Sequence, residues 1–194
     1  MRRRDLLRRR SAFFAVALAG ALAGCAAEAD RARTVVLTEC RLPRLAAAAQ
    51  CGTLEVPENR DQPDGKKIAI AFAVLPANTL TPKPDALVLL PGGPGQSANS
   101  LAAFASRLVE VRRTRDIVLV DPRGTGRSSP LDCAALKPDD TPDDVLDTDP
   151  VPKAKECLQE LVARGVDVAQ YTTAAWVADL DAVRAALGYP TWNL

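Results

Sequence analysis

Ala86-Leu87-Val88-Leu89-Leu90-Pro91-Gly92-Gly93-Pro94-Gly95-Gln96-Ser97-Ala98 is the stretch from which the fold is read. An apolar run of strand length drives into a loop of three glycines and two prolines, and apolar residues at helical spacing follow. Strand, glycine turn, helix is how α/β proteins place a site at the carboxyl end of a parallel strand. Backbone N–H groups in such a turn can converge on one anion or oxyanion.

Downstream the rhythm repeats. Asp116-Ile117-Val118-Leu119-Val120-Asp121 is a second strand, continuously apolar as parallel strands are. It runs into the turn-rich Pro122-Arg123-Gly124-Thr125-Gly126-Arg127-Ser128-Ser129. Between the two strands, Leu101, Phe104, Ala105, Leu108 and Val111 predict an amphipathic helix. Ser97 or Asn99 caps it, and Arg112 and Arg113 form a solvated carboxyl end that suits the helix dipole. Lys137 to Pro152 is acidic and proline-rich, a surface excursion. Ala154, Cys157, Leu158, Leu161 and Val162 predict a short helix ending at Gly165. Trp176, Leu180, Val183 and Leu187 predict another, capped by Thr173 and stopped by Gly188. Asp179 and Asp181 on that helix read as surface charges, with a buried tie to the Arg123 loop as the second reading. Tyr189 to Leu194 opens a further strand.

Upstream, Cys51-Gly52-Thr53-Leu54-Glu55-Val56-Pro57 and Lys67 to Leu75 predict an antiparallel hairpin, with turn formers from Asn59 to Gly65 between them. Its glutamates, lysines and Arg60 read as solvated edges. The alanine run within Arg41 to Gln50 reads as a helical turn.

Hydrophobic content of 47% and charged content of 25% are ordinary for a globular protein, so 194 residues suffice for one domain with a core. Six arginines precede Cys25, and without them the formal net charge of +1 becomes negative, which argues against a nucleic-acid partner. The chain contains no histidine, so a complete Ser-His-Asp set cannot be drawn from it.

The arginine-rich head and the apolar Ala12 to Leu22 read as an export signal over residues 1–24, too short to span a bilayer comfortably. Arg3-Arg4-Asp5-Leu6-Leu7-Arg8 resembles the twin-arginine export pattern. Leu22-Ala23-Gly24-Cys25 resembles the lipobox of bacterial lipoproteins, which implies acylation of Cys25 and membrane attachment in the cell envelope, with 25–39 as a tether. The other four cysteines form an even set in a chain bound for an oxidising compartment and allow three pairings. Proximity favours Cys40–Cys51 and Cys133–Cys157 over four free thiols.

Two readings of the glycine loop follow. Gly93-Pro94-Gly95-Gln96-Ser97-Ala98 fits the G-x-G-x-x-A of dinucleotide-binding folds, with Asp121 ending the next strand for a ribose. Against NAD(P) stand the preceding hairpin, the stiffening prolines, and an acid 28 residues after Gly93 where about 20 is usual. The other reading is an oxyanion hole. Leu90-Pro91-Gly92-Gly93-Pro94-Gly95-Gln96-Ser97 resembles the H-G-G-P-G loop of proline iminopeptidases, and Asp121-Pro122-Arg123-Gly124-Thr125-Gly126-Arg127-Ser128 resembles their D-Q-R-G-T-G-R-S loop. Cys51 to Pro57 and Asp179 to Leu194 are similar to exported tripeptidyl-aminopeptidase-like hydrolases.

The resemblance, over about residues 40–194, implies the amino-terminal portion of an α/β-hydrolase fold: an antiparallel hairpin leading into a mostly parallel sheet flanked by helices. It implies Gly93 as an oxyanion N–H donor, with Gly92, Pro94, Gly95, Asp121, Arg123, Gly124 and Gly126 shaping the two loops. Arg123 is expected to brace neighbouring loops. The nucleophile is expected beyond Leu194, in a G-x-S-x-G elbow, with the acid and base also outside this stretch. Ser97 and Ser128 lack that frame and are rejected as nucleophiles. The implied substrate is a peptide cleaved at its amino terminus or a small ester, with no cofactor or metal. A non-catalytic, lipid-anchored binding module is the alternative of a different class.

Overall fold

The computed structural model describes residues 34–45, 47–93, 95–136 and 151–194. The signal segment, Cys25, Pro94 and most of the acidic excursion lie outside the described residues. One six-stranded sheet has the order β1-β2-β3-β5-β4-β6. Its strands are β1 (Thr38–Cys40), β2 (Ala49–Pro57), β3 (Lys67–Leu75), β4 (Ala86–Leu89), β5 (Asp116–Val120) and β6 (Trp192–Asn193). The expected hairpin is β2–β3, running antiparallel from Gln50↔Val74 to Pro57↔Lys67. β3 also pairs antiparallel with β5, whereas β4 is parallel to both β5 and β6. The sheet is therefore mixed rather than mostly parallel, because β1 to β3 wrap one edge as a meander before the parallel part begins.

Both faces of the central strands are covered, which is why β5 is buried at every residue. Alternation divides the strand between two cores. Val118 and Val120 join Ile70, Phe72 and Val88 beneath Leu180 and Val183 of helix α4 (Thr173–Ala186) and its C-cap Leu187. Ile117 and Leu119 face Ala98, Ala102 and Ala105 on the other side.

The helix after the glycine loop is not continuous. A 3-10 turn at Ala98–Leu101 leads into α1 (Ala102–Ala105), and α2 (Val109–Arg112) follows a break at Leu108, whose ψ is 52°. Small alanines take the sheet-facing positions, so Phe104 is left 53% exposed although it belongs to the apolar stripe. Arg112 is no solvated end: its guanidinium donates to the Pro76 carbonyl and to Asn78 Oδ1. Arg113 is exposed and pairs with Glu110.

The alanine run does not make a helical turn. Ala49 and Gln50 belong to β2, where Cys40↔Ala49 and Thr38↔Cys51 pair across to β1. The Cys40–Cys51 disulfide joins these strands with Cα atoms 5.8 Å apart, so a tertiary bond sets an extended backbone over alanine's helical preference. The described part of 25–39 is likewise held to the body, since Thr34 N–H donates to the Ala186 carbonyl and Thr38 opens β1. Cys133–Cys157 is also bonded, tying α3 (Val151–Ala163) to the loop before it. Helix α4 is capped by Thr172 rather than Thr173, its hydroxyl accepting from Ala175 N–H at 3.2 Å, and Gly188 at φ +75° ends it.

β6 is anchored by its own side chain. Asn193 Nδ2 donates to Asp85 Oδ2 at 2.8 Å, while Arg115 reaches the other oxygen at 2.9 Å. The Asn193 amide and then the guanidinium hold the Asp85 carboxyl below its ordinary range. β4, β5 and β6 therefore run side by side in one direction. The chain leaving β4 and β5 emerges at one edge, and there the two glycine-rich loops meet.

Candidate functional site

The first loop leaves β4 through Leu90 and Pro91. Gly93 has φ +64°, and a Cβ built there would meet nothing within 4 Å. Backbone conformation rather than crowding demands glycine, since an L-residue held in the left-handed region costs roughly 1–2 kcal/mol. Gly92, Gly93 and Gly95 are exposed, and among the described residues the Gly93 N–H has no protein partner. That leaves a backbone donor directed by a fixed turn and not consumed by the fold.

Asp121 holds this loop to the second one. Its carboxyl is 2% exposed and accepts from four donors. Ser97 Oγ reaches Oδ1 at 2.7 Å, with Asn99 N–H at 3.3 Å on the same oxygen. Arg127 N–H donates to Oδ2 at 2.9 Å, and Asn99 Nδ2 approaches it at 3.4 Å. Gly126, at φ +53°, passes so close that a Cβ would collide with this carboxylate and lie 2.7 Å from Ser97 Oγ. Ser128, fully buried, donates to the Asp121 carbonyl at 2.7 Å and accepts from Ala71 N–H at 2.8 Å. Both serine hydroxyls are engaged by these contacts within the fold. With its lone pairs engaged, Asp121 cannot take a ribose, and the dinucleotide reading loses the residue it depends on.

Arg123 and Gly124 turn the second loop toward α4. The Arg123 guanidinium makes a two-point contact with Asp179, Nε to Oδ2 at 2.7 Å and Nη2 to Oδ1 at 2.8 Å. Its remaining nitrogen donates to the carbonyls of Glu58 and Gln170 at 2.8 and 2.9 Å. Arg60 also pairs with Asp179. Asp179 is therefore a fully buried hub, not a surface charge, while Asp181 stays exposed beside Arg184. Glu58 and Arg60 are not a solvated edge either. Glu58 is 4% exposed and accepts from Tyr171 Oη at 2.9 Å and from Lys66 at 3.2 Å.

Burial, donation to Glu58 and the negative charge of Glu58 push the Tyr171 phenol well above its ordinary value. A raised phenol stays protonated in the folded chain after the unfolded chain has ionised, so its contribution is complete below about pH 10 and fades above it. Urea midpoints between about pH 9 and 11 are expected to fall less steeply for Tyr171→Phe than for the parent chain. Parallel curves would remove Tyr171 from the alkaline linkage.

Pro94 and Cys25 lie outside the described residues. Glu58 and Tyr171 were invisible to sequence reading because 113 residues separate them. Asp179 did leave a signal: it lies three residues after Trp176 and four before Val183, on the apolar stripe of its helix.

No family model matches the chain. It is 34% identical over 182 residues to serine protease Hip1 of Mycobacterium tuberculosis, a match covering 84% of this chain and 34% of that protein. It is 32% identical over 158 residues to a tripeptidyl aminopeptidase of Streptomyces lividans, covering 74% of this chain and 29% of the relative. Carboxylesterase B of Mycobacterium tuberculosis is 35% identical over 152 residues, covering 71% and 29%. The chain thus spans about a third of the length of the curated relatives it matches. Its relatives are hydrolases by name, a serine protease and an aminopeptidase among them, and that kinship supports a serine hydrolase.

Proposed function

We propose that these residues form the oxyanion side of an exported serine hydrolase of the α/β-hydrolase type, which releases residues from peptide amino termini. The carrying observation is the Gly93 N–H, held at positive φ and unpartnered among the described residues, at the carboxyl end of a strand parallel to its neighbours. In such a fold one donor comes from the loop after an early strand and the other from the residue following the nucleophile. As the serine attacks, the substrate carbonyl oxygen gains negative charge, and Gly93 N–H donates to it where the ground-state carbonyl binds less well. A donor of this kind is worth about 3 kcal/mol in the transition state. Gly92, Pro94 and Gly95 shape the turn, and Asp121 and Gly126 fix its exit. These 194 residues include no histidine, so the base lies outside them, and the nucleophile and acid are placed there too on the family resemblance.

The aminopeptidase relative favours a peptide substrate, and the carboxylesterase relative keeps a small ester as the second reading. The basic-then-apolar amino terminus and Cys25 support a lipid-anchored place in the cell envelope. The 194-residue chain is expected to leave a serine-directed fluorophosphonate unconsumed, while the protein carrying the triad is labelled on a serine outside these residues. Phosphonylation of Ser97 or Ser128 would overturn the assignment.

A further inference from the structure

A cleft of about 290 Å³ adjoins the exit of the glycine loop, against the hairpin, and the chemistry above makes no use of it. Ala71 and Phe72, both buried, line it together with Cys51 of the Cys40–Cys51 disulfide. Thr38, Thr53, Asn99 and Arg127 supply its polar lining, and the Thr38 hydroxyl already donates to the Cys51 carbonyl at 3.4 Å. Arg127 is anchored and available at once. Its backbone N–H is fixed to Asp121 at 2.9 Å, whereas its side chain is exposed and, among the described residues, has no ion-pair partner. By contrast Arg123 and Arg60, packed behind the second loop, are both committed to Asp179. Asn99 comes to the same place through the same carboxylate.

One unpaired guanidinium beside one amide suits a monoanion, and its planar fork matches a carboxylate. The apolar lining offers nothing to a second charge and suits a hydrocarbon stem. We propose that the cleft binds a carboxylate borne on a short apolar stem, with Arg127 and Asn99 on the carboxylate and Ala71, Phe72 and the disulfide around the stem. Resting on the hydrolase reading, the carboxylate is either the acidic side chain of a substrate residue or a free short-chain acid.

Hexanoate and the uncharged hexanamide, titrated into the 194-residue chain and followed by amide chemical shifts, separate charge from stem. Hexanoate is expected to shift the amides of Thr53, Ala71, Asn99 and Arg127 and to bind about tenfold more tightly than hexanamide, the preference one charge-assisted contact supports. Arg127→Gln is expected to abolish the preference and Arg127→Lys to retain part of it, with the remaining amide spectrum unchanged in both. Equal affinities, no shifts at these amides, or a preference that survives Arg127→Gln would each overturn the proposal. In the protein carrying its triad, an acidic-over-neutral ratio of kcat/KM that falls about tenfold in Arg127→Gln identifies the substrate side chain as the source. A change in neutral-substrate turnover on adding hexanoate, lost in that variant, identifies the free acid. Absence of any turnover overturns the hydrolase reading and leaves the binding result standing.

Discussion

Asp179→Ala is expected to lower the unfolding free energy by about 3–5 kcal/mol. The side chain is fully buried and accepts from the two-point fork of Arg123 at 2.7 and 2.8 Å and from Arg60. Its removal leaves the Arg123 guanidinium, only 2% exposed, as an uncompensated charge in the interior. Coulomb attraction lost is the smaller part; the larger is desolvation of a cation left with only the Glu58 and Gln170 carbonyls and no counter-charge. Arg60 loses the same partner but is 34% exposed and reaches water, so Arg60→Ala is expected to cost about 1 kcal/mol or less. Pairing Asp179→Leu with Arg123→Met removes both charges and should cost much less than the sum of the two single changes. Chemical denaturation of these five variants checks this, and additive single changes would refute the hub.

Asp121→Asn is the change expected to act most strongly on the candidate site. The carboxylate receives two donors on each oxygen, from Ser97 and Asn99 on one side and from Arg127 and Asn99 on the other. An amide of the same shape must turn its NH2 toward one of those pairs, where donor faces donor. A destabilisation of about 2–3 kcal/mol is expected, because buried N–H groups lose an acceptor they cannot replace from water. In the protein carrying its triad, kcat is expected to fall about a hundredfold with KM little changed, since a displacement near 1 Å at a positioned group costs that much. Ser97→Ala removes a single bond and should cost about 1 kcal/mol. A fall in KM-dependent binding with kcat preserved would separate Asp121 from the oxyanion loop.

The sequence on its own determined what depends on local pattern. Continuous apolar runs marked β4 and β5 as buried strands, the turn residues of Asn59 to Gly65 marked the hairpin, and the periodic stripe ending at Gly188 marked α4. The glycine turn after β4 was legible for the same reason, and Gly93 takes the positive φ that glycine permits, whereas its choice as oxyanion donor came from the family resemblance alone. Cysteine parity and proximity were enough to pick both disulfides. What only the tertiary structure decided are the contacts between segments far apart in the chain. Alanine carries no side-chain instruction of its own, so Ala49 at the end of the run took the extended form its partner strand imposed. Glu58, Arg60 and Asp179 look like solvated charges until three distant segments close around Arg123 and remove the water. The place of Asp179 on the apolar stripe of α4 hinted at burial, but ionisable side chains are placed by their partners, and local spacing cannot rank partners 56 and 119 residues away above solvent.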